Sequence, residues 1–259
     1  MRVQRRTFDS KVLGEQRIFD IYRTAETGGD SGAPCTLLLV LDGEDHFSAV
    51  VDVLSQSEVK AGYGVIAAGL GNKDLRVRDY TPTAVKESSF LDPDAIAMTG
   101  GGGKFLSFLE SELLPHLHSE FRGINRTAII GHSLGGLEVL HILLERPALF
   151  QHYVAIEPSL WYDHHSLLNE AKRRLADEAY LDVHLFLAVA DSVGKHLTVS
   201  EIREDTSKKG DLIRPNVELA DLLNSLKDNM NFKWKYYPEY NHFSVAEVAI
   251  PEAVFRILS

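Results

Sequence analysis

A serine stands at the centre of the sequence Gly-His-Ser-Leu-Gly at residues 131–135. The apolar residues 127–130 precede this motif, and residues 137–145 follow it with the periodicity of a helix. Small residues two positions before and after a serine allow a sharp turn from a strand into a helix, which lifts the hydroxyl above the edge of a sheet. The pattern therefore predicts a nucleophile elbow, at which Ser133 attacks a carbonyl carbon.

A serine nucleophile needs a general base, and His242 is the best placed of the histidines that follow Ser133. It lies in the loop 238–242, directly after the apparent last strand at 232–237. A loop at the carboxyl end of a parallel strand can reach a serine at the same edge of the sheet. We therefore predict that His242 accepts the proton of Ser133.

The acid that would orient this histidine is less defined by the sequence. Asp191 directly follows the apolar run 183–190, where a carboxylate could hold the imidazole tautomer. A turn-forming aspartate would occupy the same place. The remaining possibilities are a polar stretch further on, which contains Glu201, Glu204 and Asp205, and a serine–histidine dyad without an acid.

Apolar runs and amphipathic segments alternate along the whole chain. This alternation predicts an α/β fold, with a mostly parallel central sheet and helices on both faces. The predicted strands are 12–24, 35–41, 64–68, 127–130, 153–156, 183–190 and 232–237. The predicted helices are 46–60, 105–117, 137–145, 166–179, 217–226 and a last one from 245. No linker or repeat interrupts the pattern, so we expect one domain over residues 1–259.

Composition excludes several classes of function. The 259 residues carry a formal net charge of −10, which argues against a nucleic-acid surface. No apolar run approaches the roughly 18 residues of a membrane span, and the first residues are too polar for a secretory signal. The single cysteine, Cys35, begins an apolar run and is expected to be buried. We therefore expect a cytoplasmic protein that binds neither nucleic acid nor membrane, of undetermined oligomeric state.

Several short motifs spread over most of the chain resemble the putative-esterase family of α/β-hydrolases, and in particular its siderophore-esterase-like branch. The family also includes feruloyl esterases and, more distantly, mycolyltransferases. The matching residues are Leu41-Asp42-Gly43, Gly71-Asn72, Arg78-Asp79-Tyr80-Thr81-Pro82-Thr83, Gly131-His132-Ser133-Leu134-Gly135-Gly136, Pro158-Ser159-Leu160-Trp161, Tyr237-Pro238-Glu239 and His242. The resemblance implies the α/β-hydrolase fold and ester hydrolysis. A serine–histidine dyad is among the arrangements known in this branch.

The resemblance also implies an oxyanion hole made by two backbone N–H groups, those of Leu134 and Glu44, with no part played by the Glu44 side chain. Arg78, or Arg76 two residues before it, could bind an anionic or catecholate substrate, although either could be a structural arginine. Trp161 could form an aromatic wall of the same site or pack in the core.

The sequence as a whole predicts a serine esterase that hydrolyses a small-molecule carboxylic ester through a Ser133 acyl-enzyme. This chemistry needs no cofactor and no metal. Two alternatives stay open. An acyltransferase would use the same serine with an alcohol in place of water, and a non-catalytic binding module would keep an inert elbow.

Overall fold

In the part of the chain that the structure describes, eight β-strands form one mixed sheet in the order β1-β2-β4-β3-β5-β6-β7-β8. The computed structural model describes residues 3–24, 33–56, 64–72, 74–177, 180–195, 198–226 and 230–259. The strands are β1 (Gln4–Ser10), β2 (Glu15–Arg23), β3 (Cys35–Leu41), β4 (Gly64–Leu70), β5 (Ile124–His132), β6 (His152–Ile156), β7 (Tyr180–Ala190) and β8 (Met230–Tyr237). The pairs β1–β2 and β2–β4 are antiparallel, and all other pairs are parallel. The prediction of a mostly parallel sheet is therefore confirmed.

Helices connect the parallel strands on both faces of the sheet. They are α1 (Gly43–Ser55), α2 (Arg76–Asp79), α3 (Pro93–Met98), α4 (Gly102–Phe108), α5 (Leu114–Glu120), α6 (Leu134–Glu145), α7 (Ser166–Asp177), α8 (Val199–Glu204), α9 (Arg214–Ser225) and α10 (Val245–Leu258). A π-helical turn, Leu109–Leu113, joins α4 to α5. Short 3₁₀ turns occupy Pro147–Leu149, Tyr162–His165 and Gly210–Leu212.

The sheet separates two apolar layers because alternate strand residues point to opposite faces. In β3, Leu37 and Leu39 face the layer that contains α4 to α7 and α9, whereas Leu38 and Val40 face the layer that contains α1 and α10. All seven residues of β3 are buried. This burial on both faces explains why its sequence is a continuous apolar run rather than an alternating one.

The structure differs from the predicted elements in three places. The predicted strand 12–24 is the second half of a hairpin, whose first strand, β1, was missed because most of its residues are exposed and polar. The segment 69–103, to which the sequence assigns no strand or helix, contains α2 and α3. The polar stretch after β7 contains α8, which begins with a capping box between Thr198 and Glu201. Residues 57–60 and 178–179 of two predicted helices lie outside the described residues.

Cys35 is buried at the start of β3, as predicted, and burial raises the pKa of its thiol. None of the helices in the described ranges has the length and apolar character needed to cross a membrane.

Candidate active site

The chain turns sharply at Ser133, between the end of β5 and the start of α6. Ser133 has φ 60° and ψ −121°, a strained conformation that costs roughly 1–3 kcal/mol. A side chain at Gly131 would overlap the Gly135 carbonyl group, so the turn requires glycine at that position. The sharp strand-to-helix turn predicted at Ser133 is therefore present in the structure.

Backbone hydrogen bonds fix this turn to the neighbouring strand. The Ser133 N–H donates to the Ile156 carbonyl oxygen at 3.0 Å, and the Ser133 carbonyl oxygen accepts from the Ser159 N–H at 3.1 Å. The Ser159 hydroxyl, which sequence reasoning did not single out beyond its motif, lies 3.4 Å from the Ser133 hydroxyl. The end of β6 thus holds the strained serine from one side.

His242 approaches Ser133 from the loop after β8. Its Nε2 atom lies 3.0 Å from the Ser133 Oγ atom, although the two residues are 109 positions apart in sequence. The Tyr240 carbonyl oxygen accepts a hydrogen bond from the Asp191 N–H at 2.9 Å, which ties this loop to the end of β7. The structure therefore brings together the predicted nucleophile and the predicted base.

His132 contacts His242 on the side of its backbone. The two ring centroids lie 4.8 Å apart, and His132 Nε2 is 2.7 Å from the His242 carbonyl oxygen. A carbonyl oxygen can only accept, so the proton of His132 is on Nε2. Burial, with contributions from His242 and His46, lowers the pKa of His132 to about 3. His132 therefore stays neutral and donates to the loop that carries His242.

The charge on His242 itself is disfavoured by its surroundings. Burial lowers the pKa of His242, and the nearby Arg76 guanidinium lowers it further. A neutral imidazole can accept a proton from a hydroxyl. His242 is consequently in the form that a general base requires at neutral pH.

The predicted acid does not reach this histidine. Asp191 is buried at the end of β7, and its Oδ1 atom accepts from the Gly194 N–H at 3.0 Å in a local turn. Throughout the described ranges, no carboxylate forms a hydrogen bond or ion pair with the His242 ring. The Gly194 contact fits the alternative interpretation of Asp191 as an aspartate that forms the turn after the strand.

The three fallback carboxylates also lie elsewhere. Glu201 caps α8 through Thr198, Asp205 accepts from the Ser207 N–H, and Glu204 is exposed at the end of α8.

A buried carboxyl group that sequence reasoning missed lies between β6 and β7. Glu157 follows β6 with φ 42°, and burial raises its pKa to about 8. Its oxygens accept from the Ala190 N–H and the Ser192 hydroxyl, each at 2.5 Å. Glu157 therefore links the ends of the two strands beneath the elbow. The sequence alone gives no indication of this position, because it depends on how the two strands pair in the fold.

The two backbone N–H groups expected to bind an oxyanion lie at helix starts. Leu134 is the first residue of α6 and Glu44 the second of α1, and the first amides of a helix have no partner within it. A Cβ atom at Gly135 would lie 3.3 Å from an Asp42 carboxylate oxygen, so the two helix starts are neighbours. The arrangement is suited to holding a negatively charged oxygen.

Side chains fix the loop that leads into α1. Asp42 has φ 50°, its N–H donates to the Tyr80 hydroxyl at 3.2 Å, and its carboxylate accepts from Arg76 at 3.0 and 3.1 Å. The Glu44 carboxylate accepts from the Asn72 N–H at 3.0 Å. The Glu44 side chain, to which the resemblance gave no part, thus helps to hold the loop that presents its own N–H.

The two candidate arginines have different surroundings. Arg78 donates to Glu15 at 2.6 and 3.1 Å and to Asp79 at 2.8 Å, and Asp79 also pairs with the buried Arg17. These contacts engage its guanidinium and favour the structural alternative for Arg78, while its role toward a substrate stays a prediction. Arg76 instead lies close enough to His242 to lower the pKa of that residue.

Trp161 is half-buried in the loop after β6. Its ring packs against Phe90 with centroids 4.9 Å apart, and the hydroxyl of the neighbouring Tyr162 donates to the Thr83 carbonyl oxygen. Trp161 therefore packs against a neighbouring ring, as one of the two predictions has it. The exposed part of its ring remains accessible for the predicted aromatic wall.

Comparison with known proteins gives this geometry a context. A family model described as putative esterase matches residues 29–242. The structure of an IroE-like serine hydrolase from Shewanella oneidensis is 30% identical and superposes with a TM-score of 0.84, covering 98% of this chain and 79% of that one.

Two curated relatives are similar over a shorter region. The siderophore enterobactin esterase of Emericella nidulans is 31% identical over 170 residues, which are 60% of this chain and 56% of that protein. The siderophore triacetylfusarinine C esterase of Aspergillus fumigatus is 32% identical over 151 residues, 54% of this chain and 49% of that protein. The chain spans about half the length of the curated relatives it matches.

Proposed function

The chain belongs to the putative-esterase family and has the α/β-hydrolase fold, and from this premise we propose that it is a serine esterase of the siderophore-esterase type. The observation that carries the proposal is the 3.0 Å separation of His242 Nε2 and Ser133 Oγ at a strained elbow. A serine and a neutral imidazole in hydrogen-bond contact form the core of acyl-transfer catalysis.

In the proposed reaction, Ser133 Oγ attacks the ester carbonyl carbon while His242 Nε2 accepts its proton. The N–H groups of Leu134 and Glu44 hold the oxyanion of the tetrahedral intermediate. Removal of one such donor costs about 2.7–4 kcal/mol of transition-state stabilisation. As the carbon–oxygen bond breaks, His242 returns the proton to the departing alcohol, and a water molecule then hydrolyses the acyl-enzyme by the same steps.

We propose that Ser133 and His242 act as a dyad and that Asp191 is not their acid. The absence of a carboxylate on the His242 ring within the described ranges supports this choice. His132 takes the positioning role, since its neutral Nε2–H holds the His242 backbone. An aspartate in a classical triad orients the imidazole through a side-chain hydrogen bond. In this protein the His242 imidazole is instead oriented through its backbone, by the hydrogen bond from His132 to the His242 carbonyl oxygen.

The proposed substrate is a siderophore that contains a carboxylic ester bond. Two curated relatives are named as siderophore esterases. Arg76 supplies a positive charge near His242, and Trp161 offers an aromatic surface in the loop after β6. Guanidinium and aromatic groups are suited to anionic or catecholate ligands.

The test is turnover of simple esters of graded acyl length, together with ferric and iron-free siderophores. Wild-type protein and Ser133→Ala are compared at equal concentration. We expect hydrolysis by the wild type only. Turnover by Ser133→Ala would contradict the proposed nucleophile, and turnover of simple esters without any siderophore would contradict the substrate class.

Product analysis with added alcohols addresses the acyltransferase alternative. A hydrolase releases mainly free acid, whereas an acyltransferase gives mainly the new ester.

We also propose a cytoplasmic location. The support is the free, buried Cys35, which suits a reducing compartment. Cell fractionation with an antibody against the chain tests it, and recovery outside the cytoplasmic fraction would contradict it.

A further inference from the structure

Phe243 is the most exposed large apolar side chain in the described part of the chain. Its exposed fraction is 84%, against 46% for Phe255 on α10 and 39% for Met98. Exposure of a phenyl ring to water contributes nothing to folding, because the hydrophobic gain comes from burial. This residue directly follows His242 in sequence, so it lies beside the candidate active site.

The backbone that carries Phe243 is firmly held. The Asn241 Oδ1 atom accepts from the Phe243 N–H at 2.9 Å and from the Ser244 N–H at 3.1 Å. The Asn241 carbonyl oxygen accepts from the Val245 N–H, where α10 begins. Such a turn fixes the backbone at Phe243 and with it the direction in which the side chain leaves the loop. The exposure of the ring is therefore a consequence of a defined loop.

The Phe243 ring meets the His242 ring edge to face. Their centroids are 5.4 Å apart, with an interplanar angle of 84°. His242 Nε2 in turn lies 3.0 Å from Ser133 Oγ. The Phe243 ring thus flanks the imidazole that carries protons in the proposed reaction.

The direction of proton transfer shows which part of an ester would lie beside Phe243. When the carbon–oxygen bond of the tetrahedral intermediate breaks, the electron pair goes to the alkoxide oxygen, and that oxygen takes the proton from His242 Nε2. The alcohol part of the ester must therefore lie against His242. The acyl part stays on Ser133.

We propose that Phe243 binds the alcohol part of the substrate and selects esters whose alcohol carries a planar or aromatic ring. The inference rests on the proposed esterase function and adds a specificity-determining residue to it. Two aromatic rings favour edge-to-face or offset contact, and the exposed Phe243 ring has a free surface for one. This contact is remote from the reacting bond, so its loss raises KM rather than lowering kcat.

Three esters separate the alcohol side from the acyl side: ethyl butanoate, 2-phenylethyl butanoate and ethyl 4-phenylbutanoate. The measured quantity is kcat/KM for each ring-bearing ester relative to ethyl butanoate. We expect Phe243→Ala to lower the relative value for 2-phenylethyl butanoate about tenfold or more, through KM. The relative value for ethyl 4-phenylbutanoate stays the same, and Phe243→Trp restores the preference. Phe255→Ala, the matched exposed phenylalanine, changes neither ratio.

An equal loss of kcat/KM for all three esters would overturn the proposal, because it would mean that Phe243 positions His242 and does not bind the substrate. Unchanged ratios, or a loss confined to ethyl 4-phenylbutanoate, would also overturn it.

Binding of 2-phenylethyl butanoate to Ser133→Ala, with and without Phe243→Ala, is measured by saturation-transfer NMR. If the wild type hydrolyses no ester, the esterase function fails. Weaker ester binding by the double variant still supports the ring contact, and equal binding by the two proteins refutes it.

Discussion

The ends of β5 and β7 look alike in sequence but differ in what they carry. Each is the carboxyl end of a buried parallel strand and is followed by a polar side chain, Ser133 in one case and Asp191 in the other. Ser133 adopts φ 60° and contacts His242. The Asp191 carboxylate instead closes a turn through the Gly194 N–H. A position at a strand end therefore does not by itself establish a role in the site.

After loss of Ser133 itself, the largest loss of activity at the end of β5 is expected from His242→Ala, because His242 contacts Ser133. Removal of the base should lower kcat by roughly a thousandfold or more, because the members of a catalytic unit act together. Steady-state kinetics with one activated ester and a thermal melt measure activity and folding separately. A folded variant with near-wild-type turnover would show that another group accepts the proton of Ser133.

A smaller effect is expected from His132→Ala, which removes the donor to the His242 carbonyl oxygen. We expect kcat to fall about 10- to 100-fold with little change in KM, since a misplaced catalytic group can cost about 100-fold. His132→Gln, which can still donate from its amide, should recover most of the loss. His46→Gln is the matched control, because His46 packs against His132 without a bond to His242.

The pH profile distinguishes this positioning role from general stability. His242 works as a base when neutral, and burial with the Arg76 charge lowers its pKa. The acid limb of the kcat/KM profile should therefore have its midpoint below about pH 6.5 in the wild type. In His132→Ala, water reaches the ring and the pKa rises, so the limb should move to higher pH. An unmoved limb together with lowered stability would indicate a purely structural residue.

The smallest effect is expected on the β7 side. Asp191→Asn keeps an Oδ1 acceptor for the Gly194 N–H and should change kcat less than about tenfold, whereas the loss of a triad aspartate costs about 10⁴. Glu201→Gln, at an exposed residue of α8, is the comparison variant. A loss near 10⁴ for Asp191→Asn in a folded protein would restore the triad and remove the difference between the two strand ends.

The elbow could be predicted because its signal is local. The glycine spacing, the apolar strand and the periodic helix all lie within residues 127–145, and the strained turn leaves few residue types possible. The mostly parallel character of the sheet could be predicted for the same reason, since apolar and amphipathic runs alternate along the sequence.

The surroundings of the site depend on long-range contacts, which a single sequence does not reveal. Arg76 and Arg78 lie in the same short helix, yet Arg78 meets Glu15 from the first hairpin while Arg76 meets Asp42 at the start of α1. Within the motif, His132 has no evident role of its own. Its hydrogen-bond partner, the His242 carbonyl oxygen, belongs to a residue 110 positions away in sequence. Hydrogen-bond partners of this kind are set by the path of the loops.

The most direct test of the account is covalent labelling with a fluorophosphonate, followed by mass spectrometry of the digested protein. We predict one adduct on the peptide that contains Ser133 in the wild type, a rate of labelling reduced at least 100-fold in His242→Ala, and no adduct in Ser133→Ala. Labelling of Ser133 that proceeds equally fast without His242, or an adduct on any other residue, would contradict the proposed Ser133–His242 pair.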